Sequence, residues 1–416
     1  MLSVSLAASP AASEILNKYT VATGGRAAAE RIKTSVREGT FQYAPRTEFQ
    51  VLIEAARDGQ WHTVLTLAED IRFEEVFDGK AGWEHTPEQT FPMDAKTLDS
   101  DDPVFNLDAL AHPERYFAGF AMKGRENSGG RDVWVLEGSR SGGTSTRALF
   151  DVETGLLNRI GNVIVEDYRE VDGVKVPHRL RFVEKRGEQV MQFTRVRHNV
   201  PIPAAHFDKE QSATAYRQAV REATLKALAK RLDGIDAGPA RAVLERMHNF
   251  TAEDGRLLYD IVVKNGCLRG LEVGTAEGNS ALWMGMAFRT NGGRLVTIDR
   301  NAERTKVAVE NFKQAGLAEI IDCRTADAFA EIAKIEGSFD FLFLDTGAPI
   351  HKKLLDLVYA RLAPGAVIVS HNANTLERME PAFWKAAHED PNLETSVTYT
   401  RGGGLLVARK KPRQAR

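Results

Sequence analysis

The string Leu271-Glu272-Val273-Gly274-Thr275-Ala276-Glu277-Gly278-Asn279-Ser280-Ala281-Leu282-Trp283 decides the fold of the second half of this 416-residue chain. A short apolar run, fit for a buried strand, enters two glycines four apart, and a helix pattern follows. Without a Cβ the glycine backbone lets ligand atoms come close, and the amides that open a helix suit an anionic group. A nicotinamide fingerprint would read G-x-G-x-x-G. Here Thr275-Ala276-Glu277 stand between Gly274 and Gly278, so the glycine needed beside a pyrophosphate is missing. The expected cofactor lacks a pyrophosphate, although an ordinary strand-to-helix turn reads the same way.

Moving outward, Val296-Thr297-Ile298-Asp299 puts a carboxylate at the end of the next strand, 25 residues after Gly274. Doubly wound folds bind a ribose diol from that position. Asp322-Cys323-Arg324-Thr325-Ala326-Asp327 sets a second acid, Asp327, at a third carboxyl end, suited to an adenine amino group. Each of these acids alone reads equally as a helix N-cap. Strands are predicted at Arg269–Val273, Arg294–Asp299, Ile320–Arg324, Phe339–Asp345 and Ala366–Ser370. Helices near Ser280–Phe288, Ala302–Ala315, Ala328–Ile335, His351–Leu362 and Leu376–His388 separate them. This alternation calls for a parallel, doubly wound α/β sheet. Thr395–Tyr399 and Leu405–Arg409, joined through Arg401-Gly402-Gly403-Gly404, close it as an edge hairpin.

The first half has a different period. Ser35–Tyr43, Glu48–Arg57, Trp61–Leu67, Ile71–Asp78, Phe120–Glu126, Asp132–Gly138, Thr146–Asp151, Val163–Val171, Val174–Glu184 and Glu188–His198 alternate polar and apolar residues. Turns such as Asp58-Gly59, Gly142-Gly143 and Asp172-Gly173 divide them, which is hairpin grammar for an antiparallel sheet. Short helices are expected at Ser13–Ala22 and Ala27–Lys33, a loop over Pro87–Asp102, and a helix near Val104–Tyr116. The domains predicted are residues 1–206, an antiparallel sheet; 207–234, a helical linker built on Asp208–Leu232; and 235–416, the α/β domain.

Composition narrows the function. Fifty-five Lys and Arg against 57 Asp and Glu leave a net charge of −2, so there is no basic field to hold a nucleic acid. No stretch of 18 apolar residues offers a membrane-spanning helix. Two cysteines, Cys267 and Cys323, are too few for a disulfide framework. The small, apolar start Met1–Ala12 reads either as the stub of an export signal or as a frayed terminus. His85, His112 and His178 are scattered and give no metal spacing. Trp61, Trp83, Trp134, Phe77 and Phe150 are candidates to line a cavity for an apolar ligand, with ordinary core packing as the plainer reading.

Leu271–Trp283, Thr297–Asp299, Asp327, Phe341–Asp345 and Pro364–Val369, with Glu253–Leu258 ahead of them, resemble the class I S-adenosylmethionine-dependent O-methyltransferases of the catechol and caffeoyl-coenzyme A type. The resemblance covers about residues 237–410. It implies a Rossmann-like, mostly parallel seven-stranded sheet, S-adenosyl-L-methionine as cofactor and a small phenolic or catechol-like hydroxyl as substrate. It also implies Gly274, Thr275 and Gly278 around the methionine portion, Ser280 on its carboxylate, Asp299 on the ribose, Asp327 near the adenine, and Glu272 orienting the turn. The family's divalent cation would fall to Asp345, His371 and Asn372. His371 departs from the family's Asp, and Ala348 from its frequent Lys. His371 is therefore read as a ligand favouring Mn²⁺, Zn²⁺ or Fe²⁺ over Mg²⁺, as a general base, or as a capping or packing histidine. Those two departures also leave open a catalytically decayed fold serving as a ligand- or lipid-binding protein; a nicotinamide oxidoreductase is a distant third. Residues 12–205 resemble outer-membrane lipoprotein carrier-like domains. The cytoplasm, where the methyl donor is made, is the expected location, against export for a carrier-like sheet. A homodimer is compatible with the sequence.

Overall fold

The computed structural model describes residues 10–68, 71–86, 89–93, 104–139, 145–184 and 187–412. The chain start, the Gly142-Gly143 turn and most of the loop Pro87–Asp102 lie outside the described residues. The rest falls into two compact units. The first holds the described residues up to Ala44, then Glu48–Thr66 and Arg72–Arg217. The second holds Gln218 onward, with Pro45–Thr47 and the described part of Leu67–Ile71.

The first unit is one sheet of thirteen strands. They are β1 (Thr34–Ala44), β2 (Thr47–Ala56), β3 (Trp61–Ala68), β4 (Ile71–Phe77), β5 (Gly82–His85), β6 (Thr90–Pro92), β7 (Ala121–Ser128), β8 (Arg131–Ser139), β9 (Ser145–Asp151), β10 (Leu157–Ile160), β11 (Val163–Val171), β12 (Val174–Glu184) and β13 (Gly187–His198). Their order is β6-β5-β4-β3-β2-β1-β13-β12-β11-β10-β9-β8-β7, two meanders joined where β1 pairs antiparallel with β13. Alternation had marked ten of these strands. The short β5, β6 and β10 have too few residues to display a period. Ile15, Leu16 and Tyr19 of the helix Ala12–Ala22 and Leu107 and Leu110 of the helix Leu107–Ala111 share a core with Phe150, Leu180 and Phe193.

Four of the five candidate aromatics lie against other side chains. Phe150 is fully buried, its ring 5.5 Å from Tyr19 and 5.6 Å from Phe117, and Trp61 lies 5.9 Å from Phe77. Trp134 packs against the same core as Phe150. Two helices expected as single are each split by a proline. Val104–Tyr116 becomes Leu107–Ala111 and Pro113–Tyr116, and Leu376–His388 becomes Ala373–Met379 and Pro381–Glu389. A proline ring drives the preceding residue out of helical geometry, and His112 (φ −131°, ψ 59°) and Glu380 (φ −130°, ψ 55°) stand there.

The second unit carries β14 (Arg269–Val273), β15 (Arg294–Asp299), β16 (Ile321–Thr325), β17 (Phe339–Leu344), β18 (Leu362–His371), β19 (Leu393–Thr398) and β20 (Leu405–Lys410), in the order β16-β15-β14-β17-β18-β20-β19. The first five run parallel, β20 runs antiparallel to β18, and β19 pairs antiparallel with β20, making a mixed sheet. Both faces are covered. On β17, Phe341 and Phe343 enter one core while Leu342 and Leu344 enter the other, as the period of two requires for a strand buried on both sides. The helix Asn279–Asn291 is buried from Asn279 through Phe288. The chain leaves β14 for β15 and β16, then returns to β17 on β14's other side. That reversal opens a crevice at the carboxyl ends of β14 and β17, the place where such sheets bind ligands.

The expected linker is one helix, Lys209–Arg231, and the boundary between the units falls within it, after Arg217. Ala227, Leu228 and Leu232 belong to the core of the second unit, so that core begins earlier than residue 235.

Candidate active site

The turn after β14 is shaped by close approach of the chain to itself. Gly274 has φ +105°, and a Cβ there would lie 1.9 Å from the Asp345 carbonyl oxygen; at Gly278, φ +93°, it would lie 2.5 Å from the Phe312 ring. Both glycines are thus required by packing before any ligand arrives. Between them Ala276 is held at φ 47°, and its amide donates to Asp299 Oδ2 at 2.9 Å. Asp299 Oδ1 accepts from the Asn301 amide at 2.9 Å. The carboxylate is half-buried at the end of β15, tying turn to strand with lone pairs to spare for a diol. Asp327 is exposed and caps the helix Ala328–Ile332 by accepting from the Ala330 amide at 3.1 Å, while the Ala326 amide donates to the Asp299 carbonyl.

The hydroxyls expected on the cofactor face inward. Ser280 donates to Glu272 Oε1 at 2.5 Å. Thr275 and Thr297 hydroxyls meet at 2.5 Å. Glu272 has no solvent exposure, and its Oε2 has no hydrogen-bond partner. Burial pushes its carboxyl up to about 7, against opposing hydrogen bonds from Ser280 and Thr297, with Asp345 and Asp299 adding to the rise.

At the ends of β17 and β18, Asp345, His371 and Asn372 converge as expected. His371 Nδ1 lies 3.3 Å from Asp345 Oδ2, and the Asn372 amide is 3.4 Å from Asp345 Oδ1. His371 Nε2 is engaged as well, 3.1 Å from Asp254 Oδ2. Asp254 is fully buried and also accepts from the Thr400 hydroxyl at 2.6 Å. Burial would lower the imidazole's pKa, but Asp345 and Asp254 together raise it to about 9. The two carboxylates facing its nitrogens favour the protonated ring. Burial alone would raise the Asp345 pKa; the His371 charge and hydrogen bond outweigh it and hold the carboxyl below its ordinary range. With both nitrogens facing carboxylates, His371 serves as ligand or base only once the ring has given up that proton.

Asp254 is the residue that the sequence reading missed. Its signal was present: Asp254, Leu258 and Val262 form one i, i+4, i+8 stripe of the helix Ala252–Lys264, and all three are fully buried. An acid in an apolar stripe asks for a buried partner. The Arg401–Gly404 loop was read as an edge turn, yet it packs over this pair. A Cβ on Gly402 would fall 2.3 Å from Thr251 Oγ1 and 2.7 Å from Asp254 Oδ2, and one on Gly403 2.9 Å from His371 Nε2. A cavity of about 940 Å³ lined by Arg269, Arg294, Phe312 and Cys323 contains none of these residues.

Residues 271–373, from β14 to just past His371 and Asn372, match the family model described as Methyltransferase domain. This segment is thus similar to a methyltransferase domain. Around it the chain is 32% identical over 106 residues to a catechol O-methyltransferase of Niastella koreensis, covering 24% of this chain and 48% of the relative. It is 29% identical over 118 residues to caffeoyl-CoA O-methyltransferase 2 of Petunia hybrida, covering 26% and 48%. The chain thus spans about half the length of these curated relatives. Among solved structures, an O-methyltransferase from Bacillus cereus in complex with SAH is similar with a TM-score of 0.40 at 21% identity, over 46% of this chain and 100% of that one. Among the described residues no helix is long and apolar enough to cross a membrane.

Proposed function

We propose that the methyltransferase domain transfers a methyl group from S-adenosyl-L-methionine to the hydroxyl of a small phenolic or catechol-like substrate. In this reading the C–S bond of the sulfonium breaks, a C–O bond forms, the hydroxyl proton passes by way of the Asp345 carboxylate to solvent, and S-adenosylhomocysteine departs. The observation that carries it is the crevice at the strand reversal, with Asp299 and the Gly274–Gly278 turn on one side and the Asp345–His371–Asn372 group on the other. Asp299 takes the ribose diol, Asp327 flanks the adenine, and Gly274, Thr275 and Gly278 shape the seat of the methionine portion. Glu272 and Ser280 hold the turn from behind. Asp345, kept ionised by His371, accepts a hydrogen bond from the substrate hydroxyl and aligns it for in-line attack. The imidazolium offsets the negative charge that grows on that oxygen.

A divalent cation, Mg²⁺, Mn²⁺ or Zn²⁺, fits this group poorly as it stands. Asp345 offers a carboxylate and Asn372 an amide, but His371 must first give up the proton held between Asp254 and Asp345. The cytoplasm is the proposed location. For residues 12–205 the carrier-like reading is proposed as architecture only, supported by helices that cover one face of a large antiparallel sheet.

Methyl transfer from labelled cofactor to a catechol panel tests the reading, with and without a chelator. Product should form and persist under chelation, and His371→Asp should acquire Mg²⁺ dependence. Cofactor binding without any product would favour a decayed, ligand-binding fold. Loss of wild-type activity on chelation, restored by Mn²⁺, would return His371 to the role of ligand.

A further inference from the structure

Outside the methyltransferase domain, the first unit brings together side chains that sequence spacing conceals. Glu54 of β2 and His62 of β3 are direct cross-strand partners, so they share a face of the sheet. His206 arrives 152 residues after Glu54, on the one-turn 3₁₀ helix Ala204–Phe207. One carboxylate oxygen, Glu54 Oε2, meets His62 Nδ1 at 2.8 Å and His206 Nδ1 at 2.6 Å. Among the described residues these three form the group of His, Cys, Asp or Glu donors whose ligand atoms all lie within 4.8 Å of one another. Glu54 and His62 are buried, whereas the His206 side chain is 37% exposed and gives an ion a way in from solvent.

The surroundings are built as metal sites are built. His62 Nε2, the nitrogen facing away from Glu54, lies 2.9 Å from Glu74 Oε1 on β4. Glu74 Oε2 is held in turn by the Arg72 guanidinium at 2.9 Å and 3.2 Å. A carboxylate behind a ligating histidine fixes the ring's tautomer and direction and makes it a better donor. Charge points the same way. Glu54 and Glu74 against Arg72 leave one negative charge in the pocket, which a proton on His62 balances as the site stands and a bound ion would balance in its place.

We propose that Glu54, His62 and His206 bind a borderline divalent metal of the Zn²⁺ class, with water in the fourth position and Glu74 supporting His62 from behind. Two imidazoles and one carboxylate suit Zn²⁺, Co²⁺ or Fe²⁺ better than Mg²⁺ or Ca²⁺, which prefer all-oxygen sets. Donor atoms on a tetrahedral ion with bonds of about 2.1 Å stand about 3.4 Å apart, so the two close pairs need open only by roughly 0.6–0.8 Å. The metal would clasp the turn Ala204–Phe207, which leads into the helix Lys209–Arg231, onto strands β2 and β3.

Co²⁺ titration of the full chain, stripped of metal beforehand, tests this through the visible d–d absorption of a four- or five-coordinate ion and its displacement by Zn²⁺. One equivalent should bind and raise the midpoint of thermal unfolding. His206→Ala should weaken binding about 100-fold; at a third exposed, this position tolerates truncation. Glu54→Gln serves as a second variant, and circular dichroism verifies that both remain folded. His371→Ala should leave the spectrum unchanged, which separates this site from the methyltransferase crevice. Failure to bind one equivalent, equal affinity in His206→Ala, or loss of the signal in His371→Ala would each overturn the proposal.

Discussion

Replacing Glu272 by Gln should stabilise the protein at alkaline pH and not at acidic pH. The side chain is wholly enclosed, one oxygen taken by Ser280 and the other without a partner. Burial lifts its pKa from 4.5 in a free chain to about 7 in the folded protein. Between those values the folded state binds more protons than the unfolded one, so stability falls as pH rises through that window and the loss is complete above it. The displacement amounts to about 3 kcal/mol at 1.36 kcal/mol per pKa unit. Gln keeps the volume and an oxygen for the Ser280 hydroxyl, and it cannot ionise. Glu272→Gln should therefore melt roughly 6–12 °C higher than wild type at pH 8, for a domain of this size. The gain should shrink steadily to near zero at pH 5. Thermal unfolding followed by circular dichroism and tryptophan fluorescence, with Trp283 on the helix after the turn, reads this directly. An unchanged or lower midpoint at pH 8, or a gain that ignores pH, would refute the reasoning.

Asp299→Ala removes both the proposed diol contact and the acceptor for the Ala276 amide, so calorimetry should show S-adenosylmethionine binding weakened by about 1.5–3 kcal/mol. Unchanged affinity would remove Asp299 from the site. Gly403→Ala, at φ +133° and with its Cβ 2.9 Å from His371 Nε2, should cost about 1–3 kcal/mol of stability and lower turnover more than cofactor affinity; chemical denaturation and steady-state kinetics measure the two effects. A chain cut to residues 235–416 leaves out Ala227, Leu228 and Leu232, and should be less stable than residues 218–416 by about 4 kcal/mol. Equal denaturation midpoints would place the boundary where the sequence pattern suggested.

The strand–turn–helix string and the acids at strand ends were legible because each is local: the residues that make the feature are neighbours in the chain. Pro113 and Pro381 are equally visible in the sequence, but the apolar periodicity runs on across each of them while the helix does not. The partners of His371 were not legible. Its resemblance-based role rested on Asp345 and Asn372, while Asp254, 117 residues away, faces the ring's other nitrogen. Glu54, His62 and His206 were invisible for the same reason. Only the pairing of β2 with β3 and the return of the chain after β13 bring them together, and no spacing rule spans that distance.

The pairing of β1 with β13 also bears on how the protein is made. Ser35 finds its partner only at His198, so the two meanders cannot be stitched together until the ribosome has released some 150 further residues. At translation speeds of about 5–20 residues per second, β1 waits roughly 8–30 s with one hydrogen-bonding edge unsatisfied. An unpaired edge is where chains adhere to one another. Slowing synthesis between residues 44 and 187 should therefore increase aggregation of the nascent first unit, whereas slowing it beyond residue 200 should not.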